Sequence, residues 1–153
     1  YIEYKILTSL QNNARLSNIE LAKEVGLTPS PCLRRVKSLE EKGVISAYSA
    51  LINQKKVGLS VNVFVQVSLE RQTEDHLEIF EEKIKEYSEV MEAYLMTGEA
   101  DYLLRIVVKD LEKYELFLKE NLTRIPGVSS IRSYFSLKQV IKKYSLPLKH
   151  PKE

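Results

Sequence analysis

The stretch TPSPCLRRVKSLEEKG, residues 28–43, decides the fold of the first third of the chain. Its two prolines fall in the first turn of a predicted helix, where backbone N–H groups have no partner inside the helix. The missing donors therefore cost little. Thr28 is the expected N-cap, Pro29 takes the first helical position, and Gly43 ends the helix.

The predicted helix is amphipathic, because successive side chains turn by about 100° per residue. Its apolar face carries Cys32, Val36 and Leu39, with Leu33 at the edge. Its opposite face carries Ser30, Arg34, Lys37, Ser38 and Glu41, with Arg35 on the flank. A basic amphipathic helix by itself is a weak signal, since an ordinary solvated face has the same pattern.

The preceding segment, SNIELAKEVG (17–26), favours a more specific interpretation. Ser17 and Glu20 have the spacing of a capping box, and Gly26 closes a second short helix. Two short helices joined by a tight turn that contains glycine are typical of a helix-turn-helix, whose second helix enters the DNA major groove. The stripe Ile2, Ile6, Leu7 and Leu10 predicts a first helix behind the pair, and GVISAYSALIN (43–53) predicts a short β wing.

The chain has 153 residues and a formal net charge of +2, which allows one domain or two small ones. Residues 1–60 contain nine basic and five acidic residues, whereas residues 61–153 contain fourteen and sixteen. The basic excess thus lies in the half with the helix-turn-helix, as expected of a DNA-binding head. We expect a winged helix-turn-helix domain over 1–50, a linker over 51–60 and a second domain over 61–153.

Cysteine usage and hydropathy indicate the cellular compartment. A single cysteine, Cys32, excludes internal disulfides and a cysteine metal site. No apolar run has the length of a membrane span, and no signal-peptide pattern opens the sequence. We therefore expect a cytoplasmic protein without membrane contact.

The second half predicts an α+β domain with the order β-α-β-β-α-β, which is the split arrangement of ferredoxin-like domains. VNVFVQVSL (61–69) alternates as a strand, and a helical stripe follows over 73–87. Residues 90–98 and 102–108 form a predicted hairpin that turns at Gly98 to Asp101. Asp110 caps a second helix, and residues 128–137 form the last strand. Helices cover one face of such a sheet, so a second copy of the chain is the simplest cover for the other face, which carries Phe64.

Taken together, these segments resemble the Lrp/AsnC (feast/famine) family of transcription regulators. The stretches that match are LTPSPCLRRVKSLEEKGVI, the GEADYLLRI hairpin, the IPGV turn and the closing SLPL. The resemblance covers essentially the whole chain. It implies a homodimer, commonly assembled into an octamer, that binds double-stranded DNA and senses a free amino acid through its second domain.

The helix-turn-helix and the family pattern nominate two sets of residues. The DNA-binding set is Thr28, Ser30, Pro31, Arg34, Arg35, Lys37 and Ser38. The resemblance places effector contacts between dimers, on the hairpin and the last strand, which nominates Tyr94, Gly98, Asp101, Leu111, Tyr134, Phe135 and Ser136. By the pattern alone, Gly98 only makes the turn and Asp101 only satisfies its backbone.

The nominated residues favour an apolar amino acid, such as leucine or methionine, as the effector. Aromatic and aliphatic groups line the nominated site around one acid, and that acid is committed to the ammonium group of the ligand. A charged ligand side chain would then be buried without a partner, at a cost of several kcal/mol. Two dimer-related helices would also favour a near-palindromic operator.

Two other classes of protein are compatible with this architecture. It resembles that of sirohaem decarboxylases, so an enzyme is one alternative. However, His76 and His150 lie in no recognisable catalytic constellation, and no metal-ligand spacing or phosphate loop is present. An amino-acid-sensing module that does not bind DNA is the other. Neither has a use for Arg34, Arg35 and Lys37 on a capped helix, and we expect no catalytic residue, metal or cofactor.

Overall fold

The computed structural model describes residues 1–150, which form two compact units. The first unit comprises residues 1–51 together with the C-terminal segment from Val140, and the second comprises Ile52–Gln139. The chain therefore passes between the units twice.

Three helices build the first unit: α1 (Ile2–Asn12), α2 (Asn18–Val25) and α3 (Pro29–Glu41). They enclose a small core of Ile6, Leu21, Ala22, Val25, Cys32 and Leu39. The predicted capping box of α2 is present: Ser17 Oγ accepts from Glu20 N at 3.2 Å, and Glu20 accepts from Ser17 N at 2.7 Å. The helix-turn-helix prediction is confirmed by this arrangement.

The segment after α3 differs from the expected β wing, because no strand is assigned between residues 44 and 60. Gly43 adopts φ 69°, and the Val44 and Ile45 N–H groups both donate to Leu39 O. An isolated strand here would have no neighbour for its backbone groups, and the segment follows an irregular path instead. The Tyr48 hydroxyl donates to Glu40 at 2.7 Å, and burial together with this bond raises the pKa of Tyr48 to about 12.

Residues 140–150 differ from the expected domain division, since they pack with the first unit. Gln11 at the end of α1 makes two bonds to Leu146, accepting from its N at 2.7 Å and donating to its O at 3.2 Å. The His150 ring contacts the Tyr1 and Tyr4 rings edge-on. Hydrogen bonds and ring contacts between residues so far apart in sequence leave no trace in hydrophobic periodicity.

The second unit is the predicted β-α-β-β-α-β domain. Its strands are β1 (Val61–Leu69), β2 (Val90–Leu95), β3 (Tyr102–Val108) and β4 (Val128–Phe135). Its helices are α4 (Glu74–Lys85) and α5 (Leu111–Glu120), followed by a 3₁₀ turn over Leu122–Arg124. The four strands form one antiparallel sheet in the order β2-β3-β1-β4.

The helices cover one face of this sheet. Val63, Val65 and Val67 of β1 are fully buried beneath them, as the alternation of β1 predicts, and they pack with Phe80 of α4 and Phe117 of α5. Alternate residues of the strands point to the other face, which we call the open face. Phe64 and Tyr134 on it are 39% and 50% exposed. The fold class expected from the sequence is confirmed.

Candidate nucleic-acid interface and ligand site

Helix α3 is held at a fixed angle to α2 by a short turn. Gly26 ends α2 with φ 75°, in the left-handed region that glycine adopts without strain. The Leu27 N–H donates to Ala22 O, and the Asn18 side-chain amide donates to Pro29 O at 2.7 Å. These bonds fix the first turn of α3 against the start of α2, so the exposed face of α3 is presented rigidly.

That exposed face carries the predicted basic groups. Arg34 and Lys37 are exposed, and neither makes an ion pair with another residue in 1–150. A shallow groove of about 380 Å³ is lined by Ser30, Leu33, Arg34, Lys37, Ser38 and Glu41. Two cations with their donors free, on one side of a rigid helix, can bond to phosphates or to base edges.

Arg35, unlike Arg34 and Lys37, forms an ion pair within the protein. Its guanidinium donates to the Glu3 carboxylate in the first turn of α1, in a half-exposed ion pair. The pKa of Glu3 is lowered, chiefly by a bond from its own backbone N–H at the helix start and then by Arg35. Arg35 therefore joins α3 to α1.

The other predicted DNA contacts lie at or near this face. Thr28 is the N-cap by its extended backbone, although its side chain makes no capping bond. Pro31 and Ser38 are partly exposed. Ser38 lines the groove, and Pro31 lies next in sequence to Ser30, which also lines it.

The hairpin between β2 and β3 turns at the predicted residues. Met96 N donates to Asp101 O at 2.8 Å, which closes the turn. Gly98 within it has φ 122°, a conformation that other residues rarely adopt. Glycine at this position is therefore needed for the path of the chain.

Asp101 ties the hairpin to β1. Its Oδ2 accepts from Leu69 N at 2.7 Å and from Gln72 Nε2 at 3.3 Å, and its own N–H donates to Val67 O at 3.0 Å. One carboxylate oxygen is thus already occupied by the protein. The interpretation of Asp101 as the partner of a ligand ammonium has to compete with this structural role.

The structure does not bring all seven nominated effector residues together within one chain. Tyr94 and Tyr134 lie on the open face, in adjacent rows of the sheet. Phe135 lies on the helix-covered face, where its ring meets Tyr114 edge-on. Alternation along β4 sends neighbouring side chains to opposite faces, so Tyr134 and Phe135 cannot line the same cavity of one chain.

Leu111 and Ser136 lie away from the hairpin turn. Leu111 begins α5 after the far end of β3, about 20 Å along the strand from Asp101. Ser136 N donates to Asn62 O, near the start of β1. Both residues could approach a hairpin only if that hairpin belonged to another copy.

A polar cavity that the sequence reasoning missed lies beside the hairpin. It has a volume of about 190 Å³ and is lined by Gln66, Ser68, Glu99, Ala100, Ser130 and Arg132. Within residues 1–150, neither Glu99 nor Arg132 forms an ion pair. The signal was available in the alternation of β1 and β4, which sends Gln66, Ser68, Ser130 and Arg132 to the open side. A cavity with one acid and one base can hold both charged groups of a zwitterion.

Among residues 1–150, no group of three or more His, Cys, Asp or Glu side chains is placed to hold a metal ion. No helix in that range combines the length and the apolar character needed to cross a bilayer. Cys32 is fully buried, and burial raises the pKa of its thiol.

Two family models match the two halves of the chain. A winged helix-turn-helix DNA-binding model matches residues 1–46. An Lrp/AsnC ligand binding domain model matches residues 62–146. The first match contains α1 to α3, and the second contains all of the sheet except Val61, together with the hairpin and the polar cavity.

Similar proteins extend over almost the full length. The Bkd operon transcriptional regulator of Pseudomonas aeruginosa is 48% identical over 147 residues, covering 96% of each chain. The leucine-responsive regulatory protein of Escherichia coli is 40% identical, covering 97% of this chain and 90% of its own. A transcriptional regulator of Neisseria meningitidis, solved as a complex with L-methionine, is 40% identical over 97% of this chain and 96% of its own, with a TM-score of 0.92. With its helix-turn-helix and ligand-binding domain, the chain belongs to the Lrp/AsnC family of DNA-binding transcriptional regulators.

Proposed function

We propose that this regulator binds double-stranded DNA through the exposed face of α3 and responds to a free apolar amino acid bound beside the β2–β3 hairpin. DNA binding is supported chiefly by Arg34 and Lys37, two cations without an ion-pair partner among residues 1–150. They line a groove on α3, whose first turn is bonded to α2. Because the ligand of the head is DNA, the cytoplasm is the expected compartment.

Within this face the basic residues take different roles. Arg34 and Lys37 reach base edges or phosphates, since their charged groups have no protein partner among the described residues. Arg35 positions α3 through Glu3. Ser30 and Ser38 line the same groove, and Thr28 and Pro31 lie at the adjacent start of the helix. These four residues supply shorter contacts to the DNA backbone.

The test is operator binding at several fixed salt concentrations by Arg34→Ala, Lys37→Ala and the double variant. Loss of a base contact should cost about 1–3 kcal/mol and relax specificity at one position. Loss of a phosphate contact should weaken binding to all sequences and flatten the salt dependence. Lys119→Ala on α5 is the matched control. Unchanged affinity in the double variant would remove α3 from the interface.

For the effector, we propose that Arg132 holds the carboxylate of the amino acid and Glu99 holds its ammonium group. Both residues line the polar cavity without an internal partner, whereas Asp101 is engaged with β1. The bond from Leu69 to Asp101 keeps the hairpin beside the cavity, so Asp101 positions the site.

The surroundings of this cavity favour an apolar effector. In the register of the sheet, Arg132, Gln66, Leu103 and Tyr94 form one row across the open face. A ligand held at Arg132 can extend its side chain along this row towards Leu103. With Glu99 and Arg132 committed to the ligand backbone, a charged side chain would lack a partner. Leucine and methionine fit, and a relative of 40% identity was solved with L-methionine.

Calorimetry with leucine, methionine, aspartate and lysine tests this assignment. We expect Arg132→Ala and Glu99→Gln to lose binding of the apolar amino acids, while Lys138→Ala retains it. Tight binding of aspartate or lysine to the unsubstituted protein would overturn the apolar preference. Full binding by both cavity variants would move the site elsewhere.

We also propose that the open face of the sheet packs against a second copy through the row that contains Phe64 and Tyr134, beside the row of the proposed ligand, giving a homodimer that further assembles to an octamer. Phe64 and Tyr134 are large, half-exposed and adjacent across β1 and β4. Burying such groups on a self-complementary face is the simplest way to remove them from water. The dimer would present two α3 helices to a near-palindromic operator with half-sites about one DNA turn, ~34 Å, or a multiple apart.

Light scattering tests the dimer. We expect at least dimeric mass at micromolar concentration and a lower mass for Phe64→Glu. Ile79→Glu on the exposed side of α4 is the matched control, since Ile79 is 52% exposed but off the sheet. A monomeric unsubstituted protein would contradict the proposal.

A further inference from the structure

Strand β2 is an edge of the sheet, and one of its sides is unpaired. In the order β2-β3-β1-β4 it pairs only with β3. No other segment of residues 1–150 hydrogen-bonds to its outer side. Edge strands are commonly protected by lysine, proline or a covering segment. The sequence of β2, VMEAYL, contains neither lysine nor proline, so its outer side is open to another strand.

A groove runs between this edge and α4. Its volume is about 390 Å³, and its apolar lining includes Ile84, Val90, Met91, Ala93 and Leu95. Tyr102, also in the lining, donates its hydroxyl to Glu81 at 2.6 Å. The bond keeps this part of the groove ordered. A groove between a helix and an edge strand can receive an extended peptide that adds to the sheet by main-chain hydrogen bonds.

One segment of the chain has the properties of such a peptide. Residues 137–144, LKQVIKKY, follow β4 and adopt no regular structure. No backbone hydrogen bond joins them to the rest of residues 1–150. Leu137 is 100% exposed and Val140 is 81% exposed. Val140, Ile141 and Tyr144 are residue types that favour strands.

The charges of the segment and the groove are complementary. The segment carries Lys138, Lys142 and Lys143 and no acidic residue. The groove carries Glu81, which accepts from the neutral Tyr102 hydroxyl and keeps its charge, and Glu92, which is 3.8 Å from Arg105 Nη1 in a long, partly exposed ion pair. Its one lysine, Lys85, is already paired with Glu82 at 2.7 Å. A basic peptide is therefore favoured over an acidic one.

The segment that fits has to come from a second copy. In its own chain it leaves β4, which is the opposite edge of the sheet from β2, three strand spacings or about 14 Å away. Leu137 follows the end of β4 at Phe135 by only two residues, which span at most about 7 Å, so in its own chain the segment cannot begin at the outer side of β2. We propose that residues 137–144 of a second copy add as a strand to the outer side of β2 and place apolar side chains in the groove against α4.

Disulfide trapping between two differently tagged chains tests this pairing. One chain carries Ala93→Cys and the other Ile141→Cys, and the native Cys32 is fully buried, which keeps it out of the reaction. Mixing and mild oxidation should give a cross-linked heterodimer. Ile79→Cys on the exposed side of α4 replaces Ala93→Cys in the control and should give at least several-fold less product. Equal or lower yield for Ala93→Cys would overturn the proposal.

A charge exchange provides the second test. Lys142→Glu with Lys143→Glu should lower the cross-link yield several-fold, and adding Glu92→Lys on the other chain should restore it. Unchanged yield in the lysine variant would contradict the pairing. A single chain carrying both Ala93→Cys and Ile141→Cys that closes on itself at high dilution would show that the segment docks within its own chain, which also overturns the proposal.

Discussion

Arg35 of α3 and Glu3 of α1 form an ion pair across 32 positions of sequence. The pair connects the helix that carries the DNA-facing cations to the helix behind it. Both side chains are a little over 40% exposed, so solvent screens their attraction. The pair sets the position of α3 more than it stabilises the fold.

Breaking this ion pair should lower the stability of the fold only slightly, and the effects of the two substitutions should depend on each other. We expect Glu3→Gln and Arg35→Ala each to lower the free energy of unfolding by less than about 1 kcal/mol, with a coupling of about 0.2–1 kcal/mol in a double-mutant cycle. Denaturant unfolding measures the free energy of unfolding of the unsubstituted protein, the two single variants and the double variant. Glu3 and Lys37 form the control cycle, where no coupling is expected. Equal coupling in both cycles would contradict a specific contact.

The same pair predicts a pH dependence. The pKa of Glu3 is below its ordinary value of 4.5, because its own N–H and Arg35 favour the carboxylate. Its contribution to stability is therefore present above pH 4.5 and is lost as the pH falls through the lowered pKa. The stability difference between the unsubstituted protein and Glu3→Gln should shrink in acid. Glu24→Gln, at an exposed position, is the control. A stability difference between the unsubstituted protein and Glu3→Gln that grows on acidification would contradict the prediction.

The capping box of α2 predicts a larger local effect. Ser17→Ala removes the acceptor of the Glu20 N–H and should cost about 0.5–2 kcal/mol of stability. Ser17→Asp should restore most of the loss, because aspartate also caps helices well. Exposed Ser46→Ala is the control. A Ser17→Ala variant as stable as this control would mean that the cap contributes nothing.

Asp101 distinguishes a positioning role from direct ligand contact. Asp101→Ala leaves the part-buried Leu69 N–H without its acceptor, which should cost about 1–3 kcal/mol. Asp101→Asn keeps an acceptor there and should retain both stability and amino-acid binding in calorimetry. Exposed Glu78→Ala is the control for stability. Loss of ligand binding in a stable Asp101→Asn protein would assign the ammonium contact to Asp101 itself.

The elements that the sequence predicted well are those with a regular hydrophobic repeat or a local capping residue. The alternation of β1 gave its buried side directly, because every second residue meets the helices. The N-cap at Asp110 was equally readable, and its side chain accepts from Lys113 N at 2.8 Å. Both signals are local, and burial or backbone geometry enforces each of them.

The parts that the sequence did not predict depend on contacts between distant residues. The bond from Leu69 to Asp101 spans 32 positions and has no periodic signature. The opposite facing of Tyr134 and Phe135 follows from alternation, but the nomination followed the family resemblance and did not separate the two faces of β4. Glu99 and Arg132 became candidates only when the register brought their strands side by side.

Because residues 140–150 complete the unit that begins at Tyr1, the DNA-binding head is discontinuous in sequence. During synthesis, every residue of the sheet domain leaves the ribosome before the head has its last segment. A fragment that ends at Leu51 would lack the partner of Gln11. Removing residues 140–150 therefore takes contacts away from the unit that carries α3, although about ninety residues of the sheet domain separate the two segments in sequence.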